Sequence, residues 1–304
     1  MGVVEALCSY LKNYRGRYII YVKAGIYHEI VLVDKTMTNV FMYGDGPART
    51  VVTGRECFFP RKPRHGRPPL SLLLEMDSWL RIWHSRTQLV HKDTKQWHLR
   101  VQSDMSAFLN CRISGYQDTL YYQRYTQFYR DCEISGTIDF IFGTGTALIQ
   151  NSKIIERKPL PNQFNTVTAD GTEFPNLATG LVIQNCEIIP EPQLFPQRLT
   201  VKSYLGRPWK QSSTTVVMES CISDVIQPVG WTPWDNTNFG LDRSYLADYN
   251  NRGPGAATNG RVRWKGFRVI NANEAARFTA GTFISGRLWL GGLGVPHYLG
   301  LNNH

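Results

Sequence analysis

At an offset of 21 residues, two stretches of this chain, residues 115–121 and 136–142, fall into register. Cys111 then meets Cys132, Ile113 meets Ile134, Ser114 meets Ser135, Gly115 meets Gly136, and Asp118 meets Asp139. A unit of this length is too short for a helical-hairpin array and suits one turn of a β-solenoid. Equivalent positions on successive turns lie one strand spacing apart, roughly 4.8 Å. The offset therefore predicts Asp118 and Asp139 side by side on one wall. Two carboxyl groups that close resist double ionisation, which suits one for proton transfer and the other for nucleophilic attack.

From Phe108 onward a phrase of the form apolar-x-polar-Cys/Ser-x-Ile recurs, at residues 108–113, 128–134, 149–154, 183–188 and 218–222. Its Cys/Ser positions are spaced 21, 20, 34 and 35 residues apart, which places Cys111, Cys132, Cys186 and Cys221 at one point of the repeat. Short spacings predict bare coils. Long ones predict coils with loops inserted on one face, where binding clefts are built. Strands are expected at residues 17–22, 29–33, 39–43 and 50–53, with a turn at Gly25. After Leu241 the strand signals thin out, and residues 273–278 read as one short helix. The chain reads as one parallel β-helix with no internal linker.

A chain that is 42% hydrophobic and 19% charged has the material for a sizeable core. Its net charge of +10 favours polyanionic partners, whether nucleic acid, acidic lipid or acidic polysaccharide. No Lys/Arg cluster interleaved with aromatics marks a nucleic-acid module, and no apolar run reaches membrane-spanning length. Residues 1–10 lack the pattern of a signal peptide. The six cysteines show no Cys-x-x-Cys spacing, which argues against a zinc or thioredoxin-like centre. At the repeat positions they read as small buried residues stacked in a ladder. No Gly-x-Ser-x-Gly is present, which disfavours a serine hydrolase.

Both aspartate motifs, together with Leu205-Gly-Arg-Pro-Trp209, Gly44-Asp-Gly-Pro47, Gly230-Trp-Thr-Pro-Trp-Asp235 and Tyr249-Asn-Asn-Arg-Gly-Pro-Gly255, resemble the plant pectin methylesterases (pectinesterases). The likeness covers roughly residues 14–55 and 99–301. It implies a right-handed parallel β-helix and hydrolysis of the methyl esters of galacturonate in pectin, with no metal or organic cofactor. Carried over residue by residue, it makes Asp139 the nucleophile, Asp118 the general acid and then base, Gln117 an oxyanion donor, and Arg207 the group that orients Asp139. Tyr121, Phe142, Trp209 and Trp231 match positions lining the sugar groove. The implied partners are methylated homogalacturonan and a proteinaceous pectinesterase inhibitor, with no nucleic acid and no membrane. The implied setting is a monomer in the extracellular cell wall. A β-helix glycosidase cutting the polymer backbone and a catalytically impaired pectin-binding protein are the alternatives.

Residues 56–98 break the pattern. The stretch 61–69 is Pro- and Arg-rich, and Trp79, Trp83 and Trp97 crowd a region without strand periodicity. The family carries a second oxyanion glutamine, in His-Gln-Ala-Val-Ala-Leu before Arg-Val. Here Arg100-Val101 are in place, but Lys95 stands at the glutamine position. Joining the third base of each codon to the first two of the next, from Leu74 to Leu99, permits a reading that ends in His-Gln-Ala-Val-Ala-Leu. In that frame Met76 with Asp77 must encode Gly, and Trp83 with His84 must encode Ala. The expectation is one domain spanning residues 1–304, in which residues from about 56 to 99 are a frame-shifted segment. The family's opening strand and helix are expected to be absent before Asn13, so that the chain is truncated at its amino end relative to the family.

Overall fold

The computed structural model describes residues 2–11, 14, 16–29, 31–33, 37, 40–46, 48–52, 73–74, 99–102, 104–174 and 178–302. Lys95 and nearly all of the block 56–98 lie outside the described residues.

The expected parallel β-helix is the architecture. Among the described residues its coils form three parallel walls. The first wall stacks Leu32–Val33, Leu73–Leu74, Leu99–Val101, Leu120–Tyr122, Ile141–Gly143, Asn165–Asp170 and Ser203–Gly206. The second runs from Ser106–Leu109 through Thr126–Arg130, Thr146–Gln150, Gly180–Gln184 and Thr214–Met218 to Tyr245–Tyr249 and Phe267–Val269. The third stacks Arg112–Ser114, Glu133–Gly136, Lys153–Glu156, Glu187–Pro190 and Cys221–Ile222. At the amino end Tyr18–Val22 pairs with Val40–Gly44, and Gly25–Tyr27 pairs with Thr50–Val52.

The 21-residue offset is the strand register itself. Ile113 pairs with Ile134 on the third wall, and Leu120 pairs with Ile141 on the first. Because side chains alternate along a strand, each register row faces wholly inward or wholly outward. Inward rows such as Ile113, Ile134, Ile154 and Ile188 fill the core. The outward row of the second wall, Phe128, Leu148, Val182 and Val216, is apolar too. It is covered by the carboxyl-terminal helices Ala272–Ala275, Ala280–Phe283 and Leu290–Leu293. The first of these is capped by Asn271, whose Oδ1 accepts from Glu274 N while Glu274 Oε2 accepts from Asn271 N.

Several expectations are corrected. The ladder position after Cys186 is held by Ser220, not Cys221, which pairs with Glu187 and is only half-buried. What defines the ladder is a side-chain acceptor for a backbone N–H of the preceding coil. Ser152 Oγ accepts from Cys132 N at 3.0 Å, Cys186 Sγ from Ser152 N at 3.4 Å, and Ser220 Oγ from Cys186 N at 3.0 Å. Serine meets that need as well as cysteine, so counting cysteines shifted the frame by one. A helix, Val3–Cys8, precedes Asn13 and buries Val3, Ala6 and Leu7 against the core. Gly25 begins a strand instead of a turn, and strand order continues beyond Leu241 in Tyr245–Tyr249 and Phe267–Val269.

The long coils carry loops at both ends of the first wall, among the described residues 157–164, 171–174 and 178–179 in one coil, 191–202 and 207–213 in the next. The last of these loops brings Trp209 against the outer face of that wall, at Tyr121 and Phe142.

Glu156 and Asp170 are among the buried carboxyl groups. Burial pushes Glu156 up from 4.5 to about 7 and Asp170 up from 3.8 to about 7, against the hydrogen bonds each accepts. Both bind protons more readily in the folded chain than in the unfolded one. Their contribution is therefore fully present only below their ordinary values of 4.5 and 3.8 and is lost as pH rises through about 7. Glu156→Gln, which imitates the protonated carboxyl, is expected to raise stability at pH 8 by on the order of 3 kcal/mol and to change it little at pH 4. Denaturant unfolding at the two pH values measures this.

Candidate active site

Two stacked turns, residues 115–119 and 136–140, lead into the first wall and carry the aspartates. Gly115 N donates to Ser135 O at 3.0 Å, Asp118 N to Ile138 O at 3.1 Å, and Leu120 N to Phe140 O at 2.8 Å. Thr137 N returns a bond to Tyr116 O at 2.9 Å. Glycine is required at 136, because a Cβ there would lie 2.2 Å from Phe140 Cβ and 2.6 Å from Tyr116 O. The turns thus follow the strand register, and Asp118 stands one coil from Asp139. Both adopt left-handed backbone, with φ of 58° and 50°. Asp and Asn reach that region more readily than other non-glycine residues.

Asp139 is almost fully buried and heavily bonded. Arg207 Nε donates to its Oδ1 at 2.9 Å and Arg207 Nη2 to its Oδ2 at 2.7 Å, a two-toothed charge-assisted pair. Thr166 Oγ1 donates to Oδ1 at 2.7 Å and accepts from Asp139 N at 2.8 Å. Arg207 is in turn fixed by its own N–H to Thr168 O at 3.0 Å, and its guanidinium lies 4.2 Å from the centre of the Trp234 ring. Gln117 occupies the turn directly before Asp118 and is half-buried. Arg157 braces that turn: Nη1 donates to Gly115 O at 2.8 Å, and the guanidinium stacks 4.0 Å from the Tyr116 ring centre.

Beside the carboxylates, Tyr121 and Phe142 occupy one outward register row. Their rings stack at 4.4 Å with an interplanar angle of 9°, and Trp209 meets both edge-on at 6.4 and 5.9 Å. Trp234 packs against the same cluster. Beyond Trp209, a recess of about 580 Å³ is lined by Arg124, Tyr125, Thr172, Phe174 and Lys210, among others.

Trp231 does not join this cluster. It bridges Gly206 and so belongs to the row of Leu120, Ile141, Thr168 and Gly206, which faces the core. Trp231 is 1% exposed. The tryptophan found at the cleft is Trp234, three residues on. Thr166, Arg157 and Trp234 were missed by sequence reasoning. Thr166 sits 27 residues from Asp139, in a coil whose inserted loops hide the 21-residue period. The backbone brings the two together, with Phe140 N bonding Thr166 O at 3.4 Å and Thr166 N bonding Thr137 O at 3.0 Å.

The family profile described as Pectinesterase matches residues 1–287. A pectinesterase of Petunia integrifolia is 44% identical over 98% of this chain and 80% of its own length. Pectinesterase 3 of Citrus sinensis is 45% identical over 94% of this chain and 49% of its own. The solved structure of a pectin methylesterase from carrot superposes with a TM-score of 0.91 at 41% identity, covering 99% of this chain and 94% of that one. The chain spans about half the length of several relatives it matches, some of which bear the name pectinesterase/pectinesterase inhibitor.

The two tryptophans make the placement testable. Trp231→Ala, which empties a core position, is expected to cost about 3–5 kcal/mol of stability. Trp234→Ala, at a half-buried position on the cleft, is expected to cost about 1 kcal/mol. Denaturation midpoints of the two variants give the comparison.

Proposed function

The chain belongs to the pectinesterase family, and from that premise we propose that it hydrolyses the methyl esters of galacturonate in pectin. One observation carries the reading: a buried carboxylate, gripped by both arms of Arg207, one coil from a second carboxyl group. In the proposed reaction Asp139 attacks the ester carbonyl carbon, and the C–O bond to methoxide breaks. Asp118 gives its proton to the methoxide, so methanol leaves and a mixed anhydride joins the galacturonate carbon to Asp139. Asp118, now a carboxylate, takes a proton from water, whose oxygen attacks the acyl carbon. Asp139 departs as the carboxylate with which it began, and Asp118 is again protonated. One water is consumed and one methanol and one acid are released.

Gln117, on the turn beside Asp118, is the proposed donor to the oxyanion that forms at each attack. Tyr121, Phe142 and Trp209 supply flat apolar faces for pyranose C–H groups, with Trp234 taking the place expected of Trp231. Arg124 in the recess suits an acidic polymer, and Lys210 there is paired with Glu173 at 2.9 Å. A glycosidase that inverts at the sugar needs its carboxyls roughly 6.5–9.5 Å apart to seat a water. Residues one coil apart, at roughly 4.8 Å, favour direct attack. The proposed setting is the cell wall, and a proteinaceous inhibitor is a proposed partner.

Asp139→Asn is expected to lower kcat on methylated pectin by at least about 10³-fold, and Gln117→Ala by about 10²–10³-fold. Methanol release is the measurement, with new reducing ends counted alongside. Reducing ends without methanol would instead mark a glycosidase, and binding with neither product a catalytically impaired binder.

We further propose that residues from about 56 to 99 arise from a shifted frame, and that the restored frame sets glutamine at the position of Lys95. Resequencing the transcript is expected to recover that frame. Repeated recovery of an uninterrupted frame encoding Lys95 would overturn it.

A further inference from the structure

The donors around Asp139 are not shared equally between its oxygens. Oδ1 accepts two hydrogen bonds, from Thr166 Oγ1 at 2.7 Å and from Arg207 Nε at 2.9 Å. Oδ2 accepts one, from Arg207 Nη2 at 2.7 Å. A carboxylate oxygen has two lone-pair directions in its plane. At Oδ1 both are taken, and at Oδ2 one is left.

Thr166 can make only one choice with its single proton. Its oxygen accepts the Asp139 backbone N–H at 2.8 Å, so the hydroxyl hydrogen is turned toward Oδ1. N–H, hydroxyl and carboxylate close a small ring around Cα and Cβ of Asp139, which holds both its left-handed backbone and its side-chain torsion. The threonine is itself fully buried, and Thr166 N donates to Thr137 O at 3.0 Å. It has no freedom to follow a carboxylate that swings away.

We infer that Thr166 is a positioning residue that closes Oδ1 and leaves Oδ2 as the oxygen that attacks the ester. The inference rests on the reading of Asp139 as nucleophile. In the attack, one Oδ2 lone pair forms the bond to the acyl carbon, and the methoxy group leaves with the Asp118 proton as above. Negative charge drains from the carboxylate as that bond forms. Thr166 and Arg207 Nε hold Oδ1 in place throughout and prevent rotation from presenting the wrong oxygen. Arg207 alone would permit a hinge about its guanidinium plane, and the Thr166 bond removes it.

Thr166→Val keeps the branched shape and removes the hydroxyl. Its expected effect is a fall in kcat of about 10–100-fold, the worth of one hydrogen bond to a charged group, with KM changed less than about twofold. Thr166→Ser restores kcat to within about threefold of the parent. Thr166→Cys, a weaker donor, falls between the two, and the Ser-over-Cys order keeps the comparison decisive if the valine variant does not fold. Binding of a de-esterified oligogalacturonide stays unchanged in every folded variant. A valine variant within twofold of the parent in kcat, a loss confined to KM, or serine no better than cysteine overturns the role. An Asp118→Asn crystal with a methyl-esterified oligogalacturonide is expected to show the ester carbon nearer Oδ2, and the carbon nearer Oδ1 overturns the choice of oxygen. Full activity of Asp139→Asn would instead overturn the nucleophile on which the inference rests, a result separate from any Thr166 outcome.

Discussion

The backbone register between neighbouring coils decides where each side chain on the cleft stands. Between the coil of Asp118 and the coil of Asp139 the offset is 21 residues on two walls and through the turn that joins them. A slip of one residue would exchange the two faces of the first wall. Tyr121 and Phe142 would turn into the core, Tyr122 would face solvent, and Asp118 would lie beside Ile138 or Phe140. Each alternative buries a polar group or exposes a large apolar one, so the core itself enforces the alignment of the two carboxyls.

The same constraint ties the cleft to the interior. Tyr122, Gly143 and Asp170 form one inward row. With no side chain at Gly143, the Tyr122 hydroxyl spans a whole coil and donates to Asp170 Oδ1 at 2.8 Å. A Cβ at Gly143 would lie 2.2 Å from Tyr122 O and 2.7 Å from its ring. Asp170 then grips both sides of the loop that bears Trp209. Its carbonyl accepts from Trp209 N at 2.9 Å and its Oδ2 from Thr214 N at 2.7 Å. Residues 207–213 are thus anchored on a buried carboxyl, and a site held on a rigid element is more exact than one on a free loop.

Much of this was legible before any coordinates. The repeat predicted the coils and set Asp118 and Asp139 one coil apart, because strand register leaves a direct imprint on sequence spacing, but it placed them on a wall where the structure has them at a corner between two walls. Arg207 was reached through resemblance and stands where that resemblance put it, against Asp139. What escaped was whatever depends on facing and not on spacing. Trp231 and Trp234 lie in one motif, and only the bridge of Trp231 to Gly206 shows which of them points inward. Ser220 was passed over for Cys221 because the ladder asks for an acceptor atom, a property two residue types share. Thr166 could not be found by periodicity, since loops of different length intervene on its coil. The helix Val3–Cys8 buries residues 3, 6 and 7, but with Val4 apolar as well the spacing is too brief and too blurred to stand out.

The bland reading of an aspartate beside a turn, that it merely shapes the turn, is not a rival to a chemical one here. Where the second wall meets the third, each coil bends through a residue with positive φ: Asn110, Asp131, Asn151, Asn185, Glu219 and Asn250. Four of the six are asparagine, and the side chains of Asp131, Asn151 and Asn185 bond from coil to coil. Asp118 and Asp139 meet the same demand at a different corner, the one that opens onto the cleft. A left-handed corner favours Asn and Asp, because their short polar side chains bond locally and offset the crowding of Cβ against the following carbonyl. It also turns the side chain out of the strand's alternation. At the closed corner the result is a structural ladder. At the open corner, with Arg207 and Thr166 arriving from later coils, the same backbone requirement yields a held carboxylate beside a second carboxyl group. The coil supplies the pair for reasons of conformation, and Arg207 and Thr166 distinguish this corner from the closed one.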